Sequence, residues 1–452
     1  MKKTPRAKAA KTRGSNSGAV AGPQQGIHRL PVELLNLVLH NVWEDKRTIV
    51  ACSQVSRLWH EVARPHFFAF IKIASTYEFV KFHAFLHANV DITRHVHKLH
   101  LKIASRPRTD RSQHQDNAPA VGRAQLRDLV ALLPRLQELH LYDLWVLTSP
   151  NPAPDAPDPE PTRSLEKLTI EHRCTVEDLH VSPVMVLNLV SLFTSVDTLE
   201  LLSMHIPDFP PFDITRLIRT VNVGTLVVRD FSLPPDFDVG VLYNALRELL
   251  APGCLRSLQL GCLRTFFNSR FITDSTARAP EGLRSLGRLV ESAARNATHM
   301  HLSFRVSGPV GLGEDDPEYW RVLNLHACTS LTSLTLEIGV PPARVPAGAM
   351  YMPRVPLAQV CIALLANIPA TLRVLTIKLW DVREQAQVKS AKTLGLRALD
   401  TALAERHAHL KRVEVMLDGP RSLSMLECSL ALTKAMPKLR AKGVLAVVDW
   451  VN

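Results

Sequence analysis

The sequence predicts an α/β chain: a short three-helix module, then an irregular right-handed solenoid built on a parallel sheet. Three observations predict it. A nearly all-apolar helical segment lies at residues 30–43, where only Glu33, Asn36, His40 and Asn41 are polar after the proline. Short strands with alternating apolar residues recur from residue 97 to residue 450. Stretches with helical apolar spacing lie between them, and strands joined by connections of that length pair in parallel through right-handed crossovers.

Composition sets the frame. The 452 residues are 46% hydrophobic and 21% charged, enough material for a large core. Residues 1–26 read as a disordered basic tail, with Lys2, Lys3, Arg6, Lys8, Lys11 and Arg13 unmatched by any acid in the first thirteen positions. The other cations behind the net charge of +12 are scattered, and no RNA- or DNA-binding pattern accompanies them. Seven cysteines, without a C-x-x-C pair, argue against a disulfide framework and suit a reducing compartment. No apolar run suggests a signal peptide or a membrane span, so the expectation is a cytoplasmic or nuclear protein.

Order is expected to begin at residue 27. Pro31 suits the start of the first helix, and Glu33 suits its first turn. Thr48 is expected to cap a second helix through Ile49, Val50, Ala51, Cys52 and Val55. Ser56 should cap a third through Leu58, Trp59, Val62 and Ala63, which Pro65 then ends. Three helices this short bury little surface, while the first is apolar around more than half its circumference. That excess predicts an external partner.

Leu30-Pro31-x-Glu33-Leu34-Leu35-x-x-Val38-Leu39, followed by Val55-Ser56-Arg57-x-Trp59-x-x-Val62-Ala63, resembles the F-box. Arg64-Pro65-His66-Phe67-Phe68 and the short strand Phe70–Ile73 are similar to fungal members of that family. Ser56 stands where cysteine is usual and Val42 where leucine is common. The resemblance implies an F-box domain over 27–73 that docks a Skp-type adaptor of a cullin–RING ubiquitin ligase. Carried over by position, Leu30, Pro31, Leu34, Leu35, Val38 and Leu39 would line the adaptor-facing side. Ile49, Val55, Leu58 and Trp59 would back or extend it.

From residue 74 to 452 each unit has a helical stretch, a turn and a strand of the form L-x-x-L-x-L. The strands run over 97–103, 136–142, 165–171, 196–202, 224–229, 255–260, 297–304, 331–338, 372–379, 410–417 and 444–450. Helical spacing marks 125–133, 185–193, 241–250, 360–368 and 396–406. Anchors from Leu99, Leu139 and Leu168 to Leu375, Val413 and Val447 lie 27 to 42 residues apart. A regular leucine-rich repeat takes about 20 to 29, so the array is leucine-rich-repeat-like and irregular. Polar or proline-rich insertions are expected near 104–122, 149–163 and 340–356.

No catalytic, cofactor or metal site is expected. His95, His97 and His100, and the pair His299 and His301, have no fixed acidic or thiol companion. Cys254 and Cys262 match no redox motif, and Asp315 with Asp316 reads as a solvated turn. The residue between the last two apolar positions of each strand forms a polar row that includes His100, His140, Thr169, Glu200, Gln259, His301, Thr335, Thr376 and Glu414. A further row includes Lys102, Tyr142, Glu171, Arg229, Glu337 and Lys378. His100, Lys102, His140, Tyr142, Glu171, Arg229, Glu337 and Lys378 are the candidate substrate contacts. The expected function is therefore substrate recognition for an SCF-type ubiquitin ligase, without enzymatic activity of its own. A repeat scaffold capped by an F-box-like segment, or a basic nuclear protein on nucleic acid, are the rival readings.

Overall fold

Pro31 sets the first helix. Its carbonyl accepts from Leu34 N (3.0 Å) and Leu35 N (3.2 Å), and α1 runs over Val32–Asn41 with Glu33 in its first turn and His40 in its last. Asp45, rather than Thr48, caps α2 (Lys46–Ser53): its carboxylate accepts from Arg47 N and Thr48 N and from the Thr48 hydroxyl at 2.6 Å. Helix α3 starts as expected, with the Ser56 hydroxyl accepting from Trp59 N at 3.3 Å. It does not end at Pro65 but continues over Arg57–Ala69. The Lys46 ammonium donates to the carbonyls of His66 (3.2 Å) and Phe67 (2.5 Å), satisfying acceptors that the last turn leaves open.

The computed structural model describes residues 30–43, 45–102, 121–142, 146–147, 163–171, 183–203, 220–229, 240–261, 281–304, 319–340, 357–380, 382, 384–389, 394–419 and 424–449. The expected basic tail, Cys262, Asp315 and Asp316 lie outside these residues, as does nearly all of each expected insertion. The chain divides into two compact units, Met1–Phe67 and Phe68–Asn452. In the first, Leu35, Leu39, Ile49, Trp59, Val62 and Ala63 form a buried core, with Val42, Cys52, Leu58 and Phe67 packed on it.

The second unit is a strand-and-helix array. β1 (Phe70–Ile73) is followed by α4 (Thr76–Ala88), the single turn α5 (Val90–Thr93) and β2 (Lys98–Lys102). Next come β3 (Val121–Gly122), α6 (Arg123–Leu132), β4 (Glu138–Tyr142), β5 (Val146–Leu147), β6 (Ser164–Glu171), α7 (Pro183–Val190) and β7 (Ser195–Leu202). β8 (Asn222–Arg229), α8 (Gly240–Leu249), β9 (Ser257–Leu260), α9 (Glu281–Ala293) and β10 (His299–Phe304) continue the alternation. Two 3₁₀ turns, Tyr319–Leu323 and Leu325–Ala327, precede β11 (Ser333–Gly339). α10 (Leu357–Leu365), β12 (Val374–Trp380), helix Leu396–Arg406, β13 (Arg412–Leu417), helices Met425–Ala435 and Pro437–Ala441, and β14 (Leu445–Asp449) follow.

Among the described residues, every strand apart from the pair β3–β5 joins one sheet of 12 parallel strands in the order β1-β2-β4-β6-β7-β8-β9-β10-β11-β12-β13-β14. Each neighbour in the sheet is therefore the next of these strands along the chain, the topology of a solenoid. Phe70–Ile73, expected to belong to the helical module, is the first strand of this sheet, because Ile71 and Ile73 pair with Leu99 and Leu101.

One apolar row runs the length of the sheet. Ile71, Leu99, Leu139, Leu168, Leu199, Leu226, Leu258, Met300, Leu334, Leu375 and Val413 are successive register partners. The last partner is Leu445, not Val447, which instead faces Val415. A strand repeats every two residues, so both side chains share one face and the pattern alone left the register open. Fully burying a leucine contributes about 1.5–3 kcal/mol, and this row is repeated by a second two residues on. A recurrent backbone link ties strand to strand. The carbonyls of His97, Gln137, Thr298, Thr332 and Arg373 each accept two N–H groups from the next strand's entry. Among the described residues no helix is long and apolar enough to cross a membrane.

Candidate interaction surfaces

The first surface is the outer face of α1. Leu35 and Leu39 are fully buried and define its inward side. Two residues along a helix turn the side chain by about 200°, so Leu37, which follows Leu35 by two and precedes Leu39 by two, points directly away. Leu37 is 57% exposed, and Leu34 and Val38 beside it are each 46% exposed. Leu30, Pro31 and Val32 are exposed at the entry to the helix. On another side Asn36 meets the His66 ring (3.0 Å), which ties α1 to α3. Val50 and Val55, from α2 and the turn after it, are also exposed.

This corrects the expected adaptor-facing set. Leu30, Pro31, Leu34, Val38 and Val55 are open, and Leu58 is half-buried. Leu35 and Leu39, expected on that side, are core residues, as are Ile49 and Trp59, which were to back or extend it, because a bundle this small needs its largest apolar side chains to close its own interior. Val32, Leu37 and Val50 are exposed apolar residues that the motif did not mark. The all-round apolarity of α1 was the signal for Val32 and Leu37, while Val50 lies on α2.

The second surface is the sheet face opposite the apolar row. His100, His140, Thr169, Glu200, Val227, Gln259, His301, Thr335, Thr376 and Glu414 are successive register partners, so the expected polar row is one physical line. The further row is broken into groups. Lys102, Tyr142 and Glu171 are adjacent, and Glu337 pairs with Lys378. Arg229, bonded to Gln259 at 2.8 Å, stands apart from both groups.

Several of these side chains are tied to one another. His140 Nε2 lies 3.2 Å from Glu171 Oε2, and His301 Nε2 lies 3.4 Å from Glu337, off the line of a hydrogen bond. Thr169 donates to Glu200 (3.0 Å) and Thr376 to Glu414 (3.2 Å). Glu171 and Glu337 are 7% and 3% exposed, so they are held inside this network and are not open contacts, contrary to expectation. A carboxylate removed from water needs such partners. Desolvation holds both His100 and His140 below the ordinary imidazole range, His100 at about 4, so both rings are neutral at neutral pH.

Among the described residues no three His, Cys, Asp or Glu side chains stand where they could hold a metal ion. Cys52, Cys254, Cys328 and Cys361 are free thiols, and burial pushes Cys328 and Cys361 up to about 12, which keeps them protonated.

Residues 27–105 match the family model described as the COS11 F-box domain. No curated protein matches the chain. Among solved structures, it is similar to a chain from the crystal structure of the Rad7 and Elc1 complex in yeast. The two are 13% identical with a TM-score of 0.25, and the likeness covers 76% of this chain and 88% of that one. A score that low carries nothing further. The apolar helix with its open outer face lies inside the matched segment. The chain thus carries an F-box domain within residues 27–105.

Proposed function

We propose that this chain is a substrate-recognition adaptor of an SCF-type ubiquitin ligase, acting by positioning and not by chemistry. The observation that carries the reading is the exposure of Leu34, Leu37 and Val38 on the outer face of a helix inside the F-box match. A monomer rarely leaves so compact a set of large aliphatic side chains in water, and covering their remaining exposed half by a Skp-type adaptor would contribute about 1 kcal/mol each. The polar face of the parallel sheet, 12 strands long, would receive the protein substrate.

The test is co-purification of the full chain with a Skp-type adaptor, comparing wild type with a Leu30/Pro31/Leu34 triple substitution. Recovery with the wild type and loss with the variant supports the reading. Failure of the folded wild type to retain the adaptor would leave a repeat scaffold whose helical module is a cap.

A further inference from the structure

The polar sheet face carries a ladder of four rings on its first three strands. Phe70 on β1 meets His100 on β2 edge-on, with 4.6 Å between centroids and 78° between planes. His100 meets His140 on β4 in the same manner, at 4.8 Å and 69°. Tyr142 completes the ladder 6.4 Å from His140, at 71°. All four residues are half-buried, so each offers part of its surface to a visitor. The backbone fixes the arrangement, because His100 and His140 are register partners and Phe70 is the partner of Lys98.

Lysines frame the ladder. Lys72 is the register partner of His100, and Lys98 and Lys102 flank His100 on its own strand. Lys98 is taken up by Glu138 at 2.7 Å. Lys102 lies over the Tyr142 ring, 4.5 Å from its centroid, and among the described residues neither it nor Lys72 pairs with a carboxylate. The two imidazoles add no charge at neutral pH, so the ammonium groups of Lys72 and Lys102 border a neutral aromatic platform. Lys102 holds its place by the attraction of a cation to a ring face, which leaves its other donors available.

Resting on the reading that this face receives protein, we propose that β1, β2 and β4 bind an acidic peptide segment whose anionic side chains flank an aromatic or aliphatic one. Carboxylate or phosphate oxygens would sit on Lys72 and Lys102, and the apolar side chain would lie against Phe70, His100 and Tyr142. A nucleic acid fits less well. The rings pack edge to face on one another, which leaves no open pair of faces for stacked bases.

The experiment uses the full chain and fluorescence anisotropy. The probe is a fluorescein-labelled random copolymer of glutamate and tyrosine; polyglutamate, a lysine–tyrosine copolymer and a single-stranded RNA serve as comparisons. The glutamate–tyrosine copolymer should bind at least tenfold tighter than each of the other three, and more weakly as salt rises. Lys72→Glu with Lys102→Glu should weaken it tenfold or more, and Tyr142→Ala severalfold. Arg412→Glu, on β13 farther along the same face, should change it less than twofold. Replacing glutamate by phosphoserine in a short tyrosine-containing peptide separates the two anion sources. Tighter binding assigns phosphorylated segments and equal binding assigns carboxylates, and either supports the site. Unchanged binding by the Lys72/Lys102 variant, equal binding of polyglutamate, or tighter binding of RNA overturns it. Adaptor co-purification of each variant is read separately, so a chain that docks the adaptor but ignores the copolymer refutes this inference and spares the F-box reading.

Discussion

Lys46 shows how one residue alters a reading made from pattern. Proline ends most helices because it lacks an N–H and crowds the preceding turn. Here α3 passes through Pro65, and the ammonium of Lys46 supplies donors to the carbonyls of His66 and Phe67. Partial burial depresses the Lys46 pKa from 10.5 to about 8. Below about pH 8 the lysine is charged whether folded or unfolded, and the cost of burying that charge is fully present. Between about 8 and 10.5 the unfolded chain binds more protons than the folded one, so stability rises with pH. Lys46→Met removes this titration. Chemical denaturation of both proteins between pH 7 and pH 10 should therefore show wild type gaining on the variant as pH rises. A difference that stays flat or shrinks would contradict the assignment. At this scale the F-box helix was only half legible. Leu34 and Leu35 are adjacent, equally apolar and both within the motif, yet one faces water and the other closes the core. Helical phase separates them, and a helix apolar on all sides conceals its phase.

Elements join through a few specific contacts that can be broken singly. Asp400, 2% exposed on helix Leu396–Arg406, accepts from Lys438 N and Leu439 N, both at 2.9 Å, and so caps the helix Pro437–Ala441 of the following unit. Asp400→Ala should cost about 1–3 kcal/mol, because two N–H groups lose their acceptor. Asp400→Asn, which keeps one acceptor oxygen, should cost less, and urea unfolding would rank the two. Gly287 on α9 is a second joint. A Cβ there would run into the Val322 carbonyl of the neighbouring 3₁₀ turn. Alanine ordinarily favours a helix over glycine, yet Gly287→Ala should destabilise by about 1–3 kcal/mol through overpacking, read as a lower melting temperature. Such positions mark what pattern could not reach. Strands were legible because L-x-L alternation is imposed by a one-sided sheet, and all eleven expected ones form. Helices were less so. α4 and α9 were not singled out, and α9 carries Gly282 and Gly287, which lower helical propensity; at Gly287 packing against Val322 needs the small residue.

The whole molecule separates two tasks: an apolar helix face on the unit Met1–Phe67, and a long polar sheet face on the unit Phe68–Asn452. Lys102, Arg229 and Lys378 lie on separate strands of that sheet, β2, β8 and β12. If the polar face selects substrates, reversing all three charges should change the proteins recovered by proximity labelling while adaptor docking persists. An unchanged set of partners would dismiss the polar row as a substrate surface. The topology explains why such a test should be clean. Each unit contacts its neighbours in sequence, so surface changes on one strand need not disturb distant ones. The central claim concerns the other surface, and calorimetric titration of a Skp-type adaptor into the full chain tests it most directly. Leu34→Asp should leave the fold intact, since the side chain already meets water. It should also weaken adaptor binding by at least a hundredfold, an uncompensated buried charge costing about 3–5 kcal/mol. Equal affinity for wild type and Leu34→Asp, or no heat of binding from the folded wild type, would contradict the account.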